Sequence, residues 1–142
     1  MNSILNEHIL LKDALIELNK KSEVNDSLVL FIVDENKKLV GTLTDGDIRR
    51  FFIRGGNIND EVSVAMHSDC KYLDSTKDIV GCLHELRKNG YTVIPVVNSE
   101  KEIVEIIDLN KNKSHLPIDA VLMAGGKGVR LRPLTETTPK PL

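Results

Sequence analysis

The sequence predicts an α/β (α+β) sandwich made of two packed copies of one small motif, and two observations carry that expectation. Lys12-Asp13-Ala14-Leu15-Ile16-Glu17-Leu18 parallels Lys77-Asp78-Ile79-Val80-Gly81-Cys82-Leu83, about 64 residues further on. Each of these segments is then followed by two β-rich runs separated by a polar turn. A unit of this size cannot close a core alone, so the two should pack with pseudo-two-fold symmetry and leave a cleft between them.

The elements follow in order. Leu11, Ala14, Leu15 and Leu18 have the spacing of one helix face. Leu28–Val33, the turn Asp34–Lys38 and Leu39–Leu43 read as a hairpin. Asp47–Ile53 has the pattern of a helix closed by Gly55, so Arg54-Gly55-Gly56 reads as a helix end rather than an RNA-binding fragment. In the second copy Asp74, Ser75 and Thr76 can start a helix whose apolar face is Ile79, Cys82, Leu83 and Leu86. Tyr91–Val97, Asn98–Glu102 and Ile103–Ile107 repeat the hairpin. Asn110–Pro117 is polar and ends in proline, as a linker does. The expected partition is therefore 1–57, 58–110, a linker 111–117, and a separate start at 118–142.

Composition narrows the function. Nineteen basic and 21 acidic residues leave a net charge of -2, without a run of one sign, so no nucleic-acid partner is expected. Met1–Leu11 lacks the basic stretch and apolar core of a signal peptide. No apolar run approaches the roughly 18 residues of a membrane span, so a cytoplasmic protein without a membrane partner is expected. Cys70 and Cys82 form no C-x-x-C pair and read as reduced, partly buried thiols. His8, His67, His84 and His115 are scattered, so no metal site is expected. Asp34, Glu35 and Asn36 begin like a calcium loop, but Lys37 and Lys38 stand where further oxygens are required.

Gly41-Thr42-Leu43-Thr44-Asp45-Gly46-Asp47-Ile48 is the segment that points to chemistry. It places Thr44 and Asp47 where a strand gives way to a helix, and a helix N-terminus suits a phosphate. A Thr hydroxyl can donate to phosphate, and an Asp can accept from both hydroxyls of a ribose. The alternative is that Thr44 or Asp45 only caps the helix, and capping and binding are compatible. The segment, in its setting of helix, strand, turn and strand, resembles a CBS motif, and the tandem pair resembles a Bateman module over Ser3–Leu109.

That resemblance implies a regulatory cleft for an adenine nucleotide (AMP, ADP or ATP). Thr44 would hold the phosphate, Asp47 the ribose, and the base would lie near Ile4 and Leu5. It also implies a homodimer, for which Phe51, Phe52 and Ile53 offer an apolar surface unless they fill the module's own core. In the second copy Asp108 stands for Thr44 and Lys111 for Asp47. A carboxylate repels phosphate and an ammonium cannot accept from ribose, so one site per chain is expected. The alternative function is a structural dimerisation module that binds no ligand.

Residues 118–142 have a different character. Ile118–Met123 reads as a buried strand, and it enters the glycine-rich stretch Ala124-Gly125-Gly126-Lys127-Gly128-Val129-Arg130-Leu131-Arg132-Pro133-Leu134-Thr135. The stretch is neither a P-loop nor a dinucleotide fingerprint, because Lys127 is followed by Gly128 and Leu131 stands at the third glycine. It is similar to the sugar-1-phosphate nucleotidyltransferase signature G-G-x-G-T-R-L-x-P-L-T, followed here by Pro139-Lys140-Pro141-Leu142, with Val129 in place of the usual Thr. The resemblance, nearest to mannose-1-phosphate guanylyltransferase-like enzymes, implies attack of a sugar 1-phosphate on an NTP with release of pyrophosphate. Gly125, Gly126 and Gly128 would cradle the nucleotide, Arg130 and Lys140 would neutralise phosphate charge, and Mg2+ would be held by carboxylates further along. Twenty-odd residues cannot form such a domain, so these are expected to be the start of a longer enzyme and to turn over nothing alone.

Overall fold

In a computed structural model the described residues are 3–24, 27–77 and 79–111, with Val80 described in its backbone only. The strand and glycine-rich stretch expected at 118–142 lie outside them, with Gly125, Gly126, Gly128, Arg130 and Lys140. The first repeat runs β1 (Ile4–Asn6), α1 (Leu11–Glu23), β2 (Val29–Val33), β3 (Leu39–Thr44) and α2 (Asp45–Ile53). A 3-10 turn, Val62–Val64, leads into β4 (Leu73–Asp74), α3 (Ile79–Lys88), β5 (Val93–Val97) and β6 (Ile103–Asp108).

Each repeat builds a three-stranded sheet, β1-β2-β3 and β4-β5-β6, whose first strand is parallel to the second and whose second is antiparallel to the third. The registers are copies. Val29 faces Thr44 as Val93 faces Asp108, and both hairpins slip at the same place, between Ile32 and Val33 and between Val96 and Val97. Their turns are also copies. Asp34 Oδ1 accepts the N–H groups of Asn36 and Lys38, and Asn98 Oδ1 accepts those of Glu100 and Glu102. Lys37 and Lys101 supply the positive φ that closes each turn. The acidic run at Asp34 is thus consumed by turn bonds.

α1 buries Leu11, Ala14 and Leu18 against Leu30, Ile32, Leu43 and Ile48. α2 ends at Ile53, where Gly55 N–H bonds to Phe52 O and Gly56 N–H to Phe51 O, with Gly55 at φ +91°. Of the expected apolar surface, Phe51 and Phe52 pack onto the repeat's own core and only Ile53, 79% exposed, faces solvent. Rotation along α3 likewise corrects the thiols. Leu83 is buried and Ile79 and Leu86 half-buried, while Cys82 is exposed. Cys70 is half-buried, and that burial pushes its thiol up, away from the reactive thiolate.

The repeats meet through Phe31, Leu39 and Val97, fully or nearly buried, with Ile4, Val29, Cys70, Val93, Ile103 and Ile106 packed around them. At the turn end the two hairpins are joined outright. Leu39 N–H donates to Lys101 O at 2.8 Å, and Lys38 bridges to Glu102. Gly41 permits another close approach, because a Cβ there would stand 2.9 Å from Met66 Sδ and 3.0 Å from His67 O. It lets the chain after the 3-10 turn pair with β3, where Thr42 and His67 exchange backbone bonds.

His8 ties three surface segments. Its Nδ1 lies 3.0 Å from Glu61 Oε2, and its Nε2 lies 4.0 Å from Glu35 Oε1. The hydrogen bond to Glu61 and that carboxylate's charge, with help from Glu7 and Glu35, raise its pKa above the ordinary histidine value despite slight desolvation. A raised folded-state pKa adds stability that is complete below the unfolded value and fades as pH rises through the folded one. Thermal melting should therefore show the protein losing stability relative to a His8→Gln variant as pH rises above the ordinary histidine value and through the raised one. Parallel pH profiles for the two proteins would remove the ion pair from the account.

Candidate functional site

Thr44 closes β3 and serves as the N-cap of α2. The Asp47 N–H donates to Thr44 Oγ1 at 3.3 Å, and Asp47 Oδ2 accepts from the Thr44 N–H at 2.9 Å and the Thr44 hydroxyl at 2.6 Å. This reciprocal capping box follows from the Thr-x-x-Asp spacing, with an Asp in the place usually taken by Glu or Gln. Arg50, one turn on, donates Nη2 to Asp47 Oδ1 at 2.6 Å. Partial burial alone would raise the Asp47 pKa. The bonds from the Thr44 hydroxyl, from Arg50 and from the Thr44 N–H outweigh it, and the carboxyl stays below the ordinary range. Asp47 is therefore ionised at neutral pH, with a side chain only 16% exposed.

The structure shows what Thr44 and Asp47 do in the fold. Thr44 and Asp47 are brought together, but as a helix cap already satisfied without ligand, so binding must share or displace these bonds. Thr44 also lines a cavity of about 250 Å³ between the repeats. Val29, Phe31 and Thr42 line it from the first repeat, Cys70 and Lys71 from the approach to β4, and residues 90–95 from the second. Its walls are mainly apolar and include Tyr91 and Pro95 from the second repeat.

Ile4 and Leu5 are not in this cavity. The strand order puts β2 between β1 and β3, and two strand spacings place β1 about 10 Å from β3. Leu5 is buried in the first repeat's core and Ile4 packs on the seam between repeats. Cys70 and Lys71, just before β4, line the cavity, and the repeat spacing of about 64 residues did not point to them. Thr42 was legible, since it lies two residues before Thr44 and so shares its face of β3.

The second copy takes another course. Asp108 Oδ1 accepts the N–H groups of Asn110 at 2.9 Å and Lys111 at 3.0 Å, and Lys111 Nζ lies 3.6 Å from Asp108 Oδ2. The position equivalent to Thr44 thus holds a carboxylate engaged in its own turn, with a cation where Asp47 would stand.

Two packed α-β-β repeats with a cleft at one strand-to-helix junction define a tandem α/β module. The family comparison agrees. The CBS domain model matches residues 4–54 and 60–111, and the chain belongs to that family. A second model, nucleotidyl transferase, matches residues 119–142. Arabinose 5-phosphate isomerase GutQ of Escherichia coli O6:H1 is 32% identical over 98 residues, covering 68% of this chain and 29% of the isomerase. The chain therefore spans under a third of that relative's length. Among solved structures, the cytosolic domain of the Mg2+ channel MgtE in complex with ATP has a TM-score of 0.61 at 20% identity, over 77% of this chain and 42% of that one. CBSX2 in complex with AMP has a TM-score of 0.58 at 18% identity, over 74% and 79%. Both likenesses establish the fold. No helix among the described residues is long and apolar enough to cross a membrane.

Proposed function

We propose that this chain is a regulatory module in which the CBS pair takes one adenine nucleotide beside Thr44 and Asp47. Its occupancy biases a sugar-1-phosphate nucleotidyltransferase whose opening residues are 119–142. The observation that carries the reading is the junction of an ionised, well-held Asp47 and Thr44 with an apolar cavity between repeats. The solved relatives in complex with ATP and with AMP support the choice of ligand class. On this reading Gly125, Gly126, Gly128, Arg130 and Lys140 keep the roles their signature implies. On the same reading Mg2+ would belong with the transferase chemistry.

The structural alternative, a dimerisation module without ligand, is favoured by the capping box, which is complete with no ligand present. Calorimetric titration of the chain with AMP, ADP, ATP and S-adenosylmethionine separates the two. Saturable binding of an adenine nucleotide at one site per chain is expected. No heat and no thermal shift at millimolar concentration would leave the structural reading standing. A homodimer, with Ile53 at or near its contact, is part of the same proposal, and light scattering on the same samples should return twice the chain mass.

A further inference from the structure

We propose that Arg54, with Arg50, makes the cleft select nucleotides by their phosphate number. Adenine nucleoside di- and triphosphates would be taken in preference to the monophosphate, and S-adenosylmethionine rejected. This rests on the reading of the Thr44–Asp47 junction as a nucleotide site.

A second space, of about 410 Å³, is lined by Asp47, Arg50, Arg54, Ala65, Met66 and His67. His67 lines the cavity between the repeats as well, and Asp47 is bonded directly to Thr44, which lines that cavity too. The two spaces thus share His67 as a wall, and the Thr44–Asp47 bond links one lining to the other. A ribose held there has an apolar chamber on one side and two guanidinium groups on the other. Arg50 and Arg54 are four residues apart on one face of the end of α2, about 5–6 Å between their Cβ atoms. That separation suits a chain of phosphates better than a single one.

The Arg54 Nε donates to Arg50 O at 3.2 Å, which lays the side chain along the helix end. Among the described residues no carboxylate pairs with its guanidinium. Arg50 is held by Asp47 Oδ1, the oxygen a ribose hydroxyl would compete for. When the ribose takes that oxygen, a phosphate offers Arg50 a replacement anion, and Arg54 offers the next phosphate a bidentate donor. Two guanidinium groups against one committed carboxylate leave the space cationic. It attracts a polyphosphate and repels a sulfonium.

Calorimetry on the whole chain with adenosine, AMP, ADP, ATP and inorganic triphosphate tests this. The wild type should bind ATP about 10-fold more tightly than AMP, and inorganic triphosphate should compete with ATP. Arg54→Gln should lose about 10-fold in ATP affinity while AMP affinity stays within 2-fold. Arg54→Lys should fall between them. An unchanged melting curve for each variant shows that it is folded. AMP bound as tightly as ATP, or Arg54→Gln weakening both equally, overturns the selectivity and leaves the nucleotide cleft intact. Failure of the wild type to bind any of these nucleotides overturns both.

Discussion

Asp47→Ala should lower adenine-nucleotide affinity by about 10- to 100-fold, the equivalent of charge-assisted bonds worth roughly 1.5–3 kcal/mol. The same substitution removes one half of the capping box and the Arg50 ion pair. A stability loss of about 1 kcal/mol should therefore accompany it. Binding and melting must be measured on the same samples, because a partly unfolded variant also binds poorly. Asp108→Ala is the control. Asp108 takes two N–H groups of its own turn, so its removal should cost similar stability. It should leave nucleotide affinity unchanged or slightly tighter. Equal binding by Asp47→Ala and wild type would remove Asp47 from the site. Acid should act like the substitution. Asp47 has a depressed folded-state pKa, so its contribution is present above the ordinary carboxyl value and is lost as pH falls through the lowered one.

Phe31→Ala should be the most damaging substitution to the fold. Phe31 is 1% exposed, sits at the centre of the seam between repeats and lines the cavity. Truncation leaves a void in the seam where the two small sheets pack on each other, and losses of about 3–5 kcal/mol are usual for such changes. Differential scanning calorimetry should show a fall of about 10–20 °C in Tm. Ile53→Ala, on an exposed residue, should change stability by no more than about 0.5 kcal/mol. If Phe31→Ala melted within a few degrees of wild type, the packing of the two repeats through this residue would be wrong.

The legible part of the fold is the local part. Helix faces such as Leu11, Ala14 and Leu18 show in their spacing, and the hairpins show because β-rich runs flank Asp34–Lys38 and Asn98–Glu102. β1 and β4 were hidden, since two or three residues carry no periodicity and take their partners from strands far along the chain. The candidate site divides the same way. Thr44 and Asp47 are three residues apart, so a cap signature reveals them. The wall supplied by Cys70, Lys71 and Tyr91 exists only after the second repeat folds against the first. Cys82 shows the limit of a helical template, because a ten-residue helix resting on a short sheet buries a narrower stripe than the spacing allows.

The join between the two hairpin turns has a mechanical meaning. Leu39 and Lys101 fasten the sheets at one end, while Thr44 and the cavity lie at the other, five residues or about 17 Å along β3. Under the proposed nucleotide site, the sheets would turn about these joined turns like the covers of a book about a spine. A nucleotide bound as proposed beside Thr44 would work on the long arm of that lever. A few degrees of rotation at the spine become a shift of about an ångström at Thr44 and Asp108. Asp108 ends β6, and the chain leaves it through Lys111 toward residues 119–142. On that reading the largest shift would fall at the strand end from which the chain continues toward residues 119–142.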